Sequence, residues 1–117
     1  MAEESAAVTV SAAGHDVKVV RVKGDVDYEN APLLAEALRR VGDPGARLLV
    51  ADLSELAFAD STVLHVLLEV QRRRRLTGGR MIIAGPLQET VGRLFEVTGT
   101  TTFFEFAPTV EAATRAR

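Results

Sequence analysis

Two uninterrupted apolar runs, Leu48-Leu49-Val50-Ala51 and Met81-Ile82-Ile83-Ala84, limit the fold of this chain more than any other feature. Each is too short for a buried helix and is bounded by turn residues, which is the pattern of a strand covered on both faces. Between them, from Ser61 to about Leu76, Val63, Leu64, Val66, Leu67, Leu68 and Val70 recur at helical spacing. Strand, helix, strand implies parallel pairing with a right-handed crossover, and so a sheet with helices packed against it.

The rest of the chain extends that unit. Val8, Val10 and Ala12 alternate with Thr9 and Ser11, and Gly14-His15-Asp16 then turns into a β-branched stretch from Val17 to Val22. This predicts an opening antiparallel hairpin. Gly24-Asp25-Val26-Asp27 closes the second strand. Asn30 is a candidate N-cap, with Pro32 just inside a helix carrying Leu33, Leu34, Ala37, Leu38 and Val41. Gly42-Asp43-Pro44-Gly45 stops that helix. Residues 54–60 read as a connection with Leu56 and Phe58 turned inward. Arg72, Arg73, Arg74 and Arg75 suit the negative end of the following helix, and read as a solvated helix end. Gly78 and Gly79 cap it. An amphipathic helix over 87–97, a short strand over 101–106 and a terminal helix over 108–117 complete the order. The expected fold is α/β: one domain over 8–117, with a mixed sheet of about five strands and about four helices. Residues 1–7, small and acidic, form a loose tail.

Composition narrows function mainly by what it removes. The 117 residues suit one domain, and 47% hydrophobic content is enough for a core. A net charge of −2 gives no general pull toward nucleic acid or an anionic membrane. No run approaches the length of a membrane span, and the N-terminus has no signal-peptide pattern, so the expected location is the cytoplasm. With no cysteine there is no thiol nucleophile or thiolate metal site. His15 and His65 form neither a triad nor a metal-spaced pair. Ser61 lacks the flanking glycines of a nucleophile elbow, and no glycine loop is followed by Lys-Ser or Lys-Thr. The expectation is a binding protein, not an enzyme, with no cofactor or metal.

Residues 52–68 carry the positive signal: Asp-Leu-Ser-Glu-Leu-Ala-Phe-Ala-Asp-Ser-Thr-Val-Leu-His-Val-Leu-Leu. Asp60, Ser61 and Thr62 sit where a helix starts, and any of the three makes an acceptable N-cap. A helix N-terminus also tolerates added negative charge, which suits a hydroxyl there to reversible phosphorylation. This segment resembles the signature of STAS domains, and within them the bacterial anti-sigma factor antagonists. Gly24-Asp25-Val26-Asp27 before a Pro-started helix, Gly78-Gly79-Arg80-Met81-Ile82-Ile83, Val91-Gly-Arg-Leu-Phe-Glu-Val-Thr-Gly and Val110-Glu-Ala-Ala resemble further family segments.

The resemblance implies a switchable partner-binding module. Its partner would be an anti-sigma factor that is also a serine kinase of the histidine-kinase-like ATPase type, with a serine phosphatase resetting the switch. Ser61 aligns with the phosphoacceptor; Asp60, Thr62 and Val63 flank it, and Asp25 and Asp27 fall in a neighbouring contact loop. The family usually has glycine where this chain has Val63. A branched side chain there predicts obstruction of a close-docking kinase, so the segment supports partner binding more firmly than phosphorylation. The alternatives are a non-phosphorylated STAS scaffold in a signalling complex, favoured by Val63, and a small-molecule or nucleotide-binding STAS domain.

Overall fold

A computed structural model describes residues 7–42 and 46–115. The expected tail over 1–7 lies outside these except for Ala7, as do residues 43–45 of the expected helix stop and the last two of the terminal helix.

The chain runs β1 (Ala7–Ala12), β2 (Val17–Val26), α1 (Ala31–Gly42), β3 (Leu48–Ala59), α2 (Ser61–Leu76), β4 (Arg80–Ala84), α3 (Glu89–Thr98), β5 (Glu105–Ala107) and α4 (Val110–Arg115). The five strands lie side by side in sequence order. β1 is antiparallel to β2, and the other neighbours are parallel, so the sheet is mixed as the hairpin and crossovers predict.

Alternation along the central strands builds two cores. Val20, Val22, Leu49, Ala51, Met81 and Ile83 face one way, against Leu34 and Leu38 of α1, Leu64 and Leu67 of α2, and Val91 and Phe95 of α3. Val17, Val19, Leu48, Val50, Ile82 and Ala84 face the other way, against Ala113 of α4. Consecutive apolar residues in β3 and β4 thus serve opposite faces, which is why those runs are unbroken. Phe95, Phe104 and Phe106 meet edge to face at centroid distances of 5.5, 5.2 and 6.2 Å, each pair contributing about 0.5–1.5 kcal/mol beyond its burial.

Three elements differ from expectation. β3 does not stop at Leu53 but continues to Ala59. Its register with β2 slips twice, between Arg21 and Lys23 and between Gly24 and Asp25, and each time β3 carries the extra residue. The bulges break the period of two. Leu56 is fully buried, but Phe58, expected inward, is 47% exposed. The strand expected over 101–106 is a 3₁₀ turn, Thr101–Phe103, followed by the three residues of β5. The Thr100 and Thr101 hydroxyls bond to the Phe95 carbonyl, a local alternative to strand pairing. Arg74, expected in solvent, is buried at 5% exposure. It donates to the Ala46 carbonyl at 2.6 Å and the Arg80 carbonyl at 3.2 Å, fastening the end of α2 to the segments leading into β3 and β4.

Candidate functional site

The candidate residues lie at two junctions, where β2 and β3 end and α1 and α2 begin: Asp25, expected in a loop, is in the last residues of β2, Asp27 is in the loop to α1, Asp60 joins β3 to α2, and Ser61 and Thr62 open α2. The first loop is stitched by its own side chains. The Asp27 N–H donates to Asn30 Oδ1 at 2.8 Å, and the Glu29 N–H donates to Asp27 Oδ1 at 3.0 Å. Asn30 Nδ2 donates to the Asp25 carbonyl at 3.0 Å, so the expected N-cap side chain folds back onto the loop. Within β2, Gly24 stands at the register slip before Asp25 with φ +96°, a conformation that costs glycine little.

Asp60 ties this loop to the second. It is the N-cap of α2: Oδ1 accepts the Thr62 N–H at 2.9 Å and the Thr62 hydroxyl, and Oδ2 accepts the Tyr28 N–H at 3.1 Å. One carboxylate therefore caps the helix and holds the neighbouring loop. The Thr62 hydroxyl bond is the main reason the Asp60 carboxyl titrates below its usual range. With both oxygens engaged and its proton affinity lowered, Asp60 is a poor general base.

Ser61 is the first residue of α2 and is exposed. Its hydroxyl makes no hydrogen bond among the described residues, whereas the adjacent Thr62 hydroxyl is committed to Asp60. His65 lies one turn further on, exposed, with no hydrogen bond to Ser61. Asp25 is exposed and Asp27 half-buried. With Glu29 and Asp60 they make the rim acidic. Val63, expected on the contact surface, is 1% exposed and packs in the main core. Of the six sequence candidates, the fold thus gathers five on one rim and turns Val63 inward.

Two aromatic residues that the sequence reading left out of the site belong to this rim. Phe58 is the strand partner of Asp25, across β3 and β2. Tyr28 is 69% exposed while its N–H is held by Asp60. Exposed aromatics beside charged groups are common anchors of protein interfaces. Tyr28 could have been found as the single tyrosine of the chain, in a loop. Phe58 could not, because its orientation depends on the β3 bulges. From Thr62 and Tyr28 a cleft of ≈ 550 Å³ opens between α1 and α2, lined also by Ala31, Ala35 and Val66.

Below the rim, Asp52 is 1% exposed on the α4 face of the sheet. Burial acts to raise its pKa, but the Arg21 Nε–H bond at 2.8 Å and the Ser54 N–H bond at 3.0 Å outweigh burial and keep it low. Among the described residues no three acidic or histidine side chains are grouped to hold a metal ion, and no helix is long and apolar enough to cross a membrane.

The family model of the STAS domain matches residues 9–113. The chain belongs to the STAS domain family. It is 32% identical over 80 residues to the anti-sigma-B factor antagonist of Bacillus subtilis (strain 168), covering 68% of this chain and 72% of that protein. The crystal structure of an anti-sigma factor antagonist from Mycobacterium paratuberculosis superposes with a TM-score of 0.84 at 28% identity, over 96% of this STAS domain and 93% of that chain. The Bacillus cell fate determinant SpoIIAA in its phosphorylated form has the same fold, with a TM-score of 0.72 at 20% identity over 95% of this chain and 100% of that one. These STAS relatives are named as regulators, not as enzymes.

Proposed function

We propose that this STAS domain is a cytoplasmic anti-sigma factor antagonist. It binds an anti-sigma factor that is also a serine kinase with a histidine-kinase-like ATPase fold, so that a sigma factor is released. Phosphorylation of Ser61 ends the binding and a serine phosphatase restores it. Asp25, Asp27, Asp60, Thr62 and the exposed rings of Tyr28 and Phe58 form the contact surface.

The observation that carries this reading is the contrast between two adjacent hydroxyls. The Thr62 hydroxyl is committed to the Asp60 cap, while the Ser61 hydroxyl stands exposed at the helix N-terminus with no hydrogen bond among the described residues. Two comparisons support it: the relatives matched are antagonists by name, and a structural neighbour was solved phosphorylated. Val63 was the argument for a non-phosphorylated scaffold. Because its side chain is buried, it does not crowd the Ser61 hydroxyl.

The energetics suit a switch that acts on the interface. A phosphate adds about −1.5 to −2 charges at pH 7. The helix N-terminus offsets it by about 0.3–1 kcal/mol, against repulsion from the acidic rim. Desolvating that group against a partner costs several kcal/mol unless a cation meets it.

The test is calorimetric titration of wild type, Ser61→Ala and Ser61→Asp against the candidate anti-sigma factor, with phosphorylation by that kinase as a parallel assay. Ser61→Ala should bind and take no phosphate, because Thr62 is engaged. Ser61→Asp should keep its fold and lose at least about tenfold in affinity. Equal affinity for all three would reduce Ser61 to a helix position and end this reading.

A further inference from the structure

We propose that β1 pairs with β1 of a second copy of this chain, joining two five-stranded sheets about a two-fold axis at Val10. Among the described residues β1 is an edge strand with β2 as its one neighbour. The Ala13 N–H donates to the Val17 carbonyl at 2.9 Å, in register with the ladder. Alternation then directs the backbone groups of Ser11, Thr9 and Ala7 toward β2, and those of Val8, Val10 and Ala12 away from the sheet. Three N–H and three C=O groups are presented in a row.

The two edges of the sheet are built differently. β5 has three residues, includes the charged Glu105 and is followed by Pro108, devices that blunt an edge. β1 has six residues, Ala-Val-Thr-Val-Ser-Ala, with no charge and no proline, and its register with β2 is unbroken. Nothing in this strand opposes further pairing.

Self-pairing is the arrangement that its sequence fits. Outward groups bond only to outward groups, so an antiparallel two-fold centred on Val10 sets Val8 against Ala12 of the partner subunit. Each outward residue donates and accepts once, giving six hydrogen bonds. Thr9 then faces Ser11 of the partner subunit, hydroxyl to hydroxyl, and Val10, 48% exposed, meets its own copy. No like charges meet within the strand pair. Because Ala7 is level with Lys23, the N-terminal end of β1 points toward the end of the sheet that carries the Ser61 rim. Antiparallel pairing points the two rims in opposite directions and leaves both open. The inference is therefore independent of what the rim binds.

A single strand pair is small beside the ~1,200–2,000 Å² of a standard interface, so a weak, concentration-dependent dimer is expected. Sedimentation velocity of the full chain from about 10 µM to about 1 mM tests it, with Val10→Pro and Val10→Lys alongside. Proline at position 10 removes an outward N–H and no bond to β2. Val10→Lys keeps every backbone group and adds a charge at the axis. Wild type should shift from monomer to dimer across the range, and both variants should stay monomeric. Hydrogen exchange adds a second measurement. Protection of the Val8, Val10 and Ala12 amides should rise with concentration, and that of Thr9 and Ser11 should not. A wild type that remains monomeric at the top concentration overturns the proposal. So does a Val10→Lys variant that dimerises like wild type, or protection of those three amides at every concentration, the mark of a different strand.

Discussion

Asp60→Ala removes three hydrogen bonds at once, and their geometry sets the expected cost. Losing an N-cap acceptor costs about 0.5–2 kcal/mol. Here the cap is a carboxylate that takes both the Thr62 N–H and the Thr62 hydroxyl, which places it toward the upper part of that range. The Tyr28 N–H is exposed, so water replaces its lost acceptor and adds only about 0.5 kcal/mol. The expected loss is about 1.5–2.5 kcal/mol, or a fall in melting temperature of about 5–12 °C for a domain of this size. Asp60→Asn keeps an acceptor oxygen and should lose much less. The assay is urea unfolding at constant m-value across a pH series. The folded carboxyl titrates below its ordinary value, chiefly through the Thr62 hydroxyl bond. Its contribution is therefore complete above the unfolded value near ~3.9 and disappears as pH falls through the lower folded value. Asp52 and Glu105 are also held low, by Arg21 and Arg80, but they are present in both proteins and cancel in the difference. The gap between wild type and Asp60→Ala should stay constant from about pH 5 to 8 and close below about pH 4. A gap under about 0.5 kcal/mol at neutral pH, or one equally large in acid, would refute the assignment of Asp60 as the charged cap.

Val63→Gly should cost about 2–4 kcal/mol in chemical denaturation, from the cavity and the helical glycine together, without raising the rate at which a kinase modifies Ser61. A faster rate would mean that valine does obstruct the site. Arg74→Ala should cost about 2–4 kcal/mol by the same assay, because it strands the Ala46 and Arg80 carbonyls, while Arg73→Ala should stay within about 0.5 kcal/mol. Phe58→Ala should leave stability within about 1 kcal/mol of wild type yet weaken the anti-sigma factor interaction by about 2 kcal/mol in calorimetry. Unchanged affinity would remove that ring from the interface.

The strand–helix alternation was legible because the start of β3 and the whole of β4 are apolar on both faces and preceded by turn residues, so their existence does not depend on tertiary context. What could not be read depended on partners distant in sequence. The second half of β3 carries two bulges set by its pairing with β2, and no periodicity in 54–59 reveals them. Phe58 was misplaced for that reason alone. Four consecutive arginines read as a solvated helix end until the fold brings the Ala46 and Arg80 carbonyls to Arg74. The choice among Asp60, Ser61 and Thr62 as cap was open for the same reason. What sets Asp60 apart is that its second oxygen reaches Tyr28, 32 positions away, on a different loop.

That last contact also bears on how a switch here would act. Helix α2 is fixed at both ends: Asp60 binds its first turn to the β2–α1 loop, and Arg74 binds its last turns to the entries of β3 and β4. Between them Leu64, Leu67 and Val70 are buried in the main core. Moving the helix would break these bonds together, at a cost well above the ~0.3–1 kcal/mol by which a charge at a helix terminus changes local energy. A phosphate on Ser61 has no such leverage. It would leave the helix in place and change what the rim presents, turning an exposed neutral hydroxyl into a dianion among Asp25, Asp27, Glu29 and Asp60. A partner held by Phe58 and Tyr28 would then have to desolvate that charge beside four carboxylates, at a cost of several kcal/mol unless a cation meets it. On this reasoning a phosphate on Ser61 would act through the surface and not through the fold. Phosphorylated and unphosphorylated forms should then differ in affinity far more than in structure or stability.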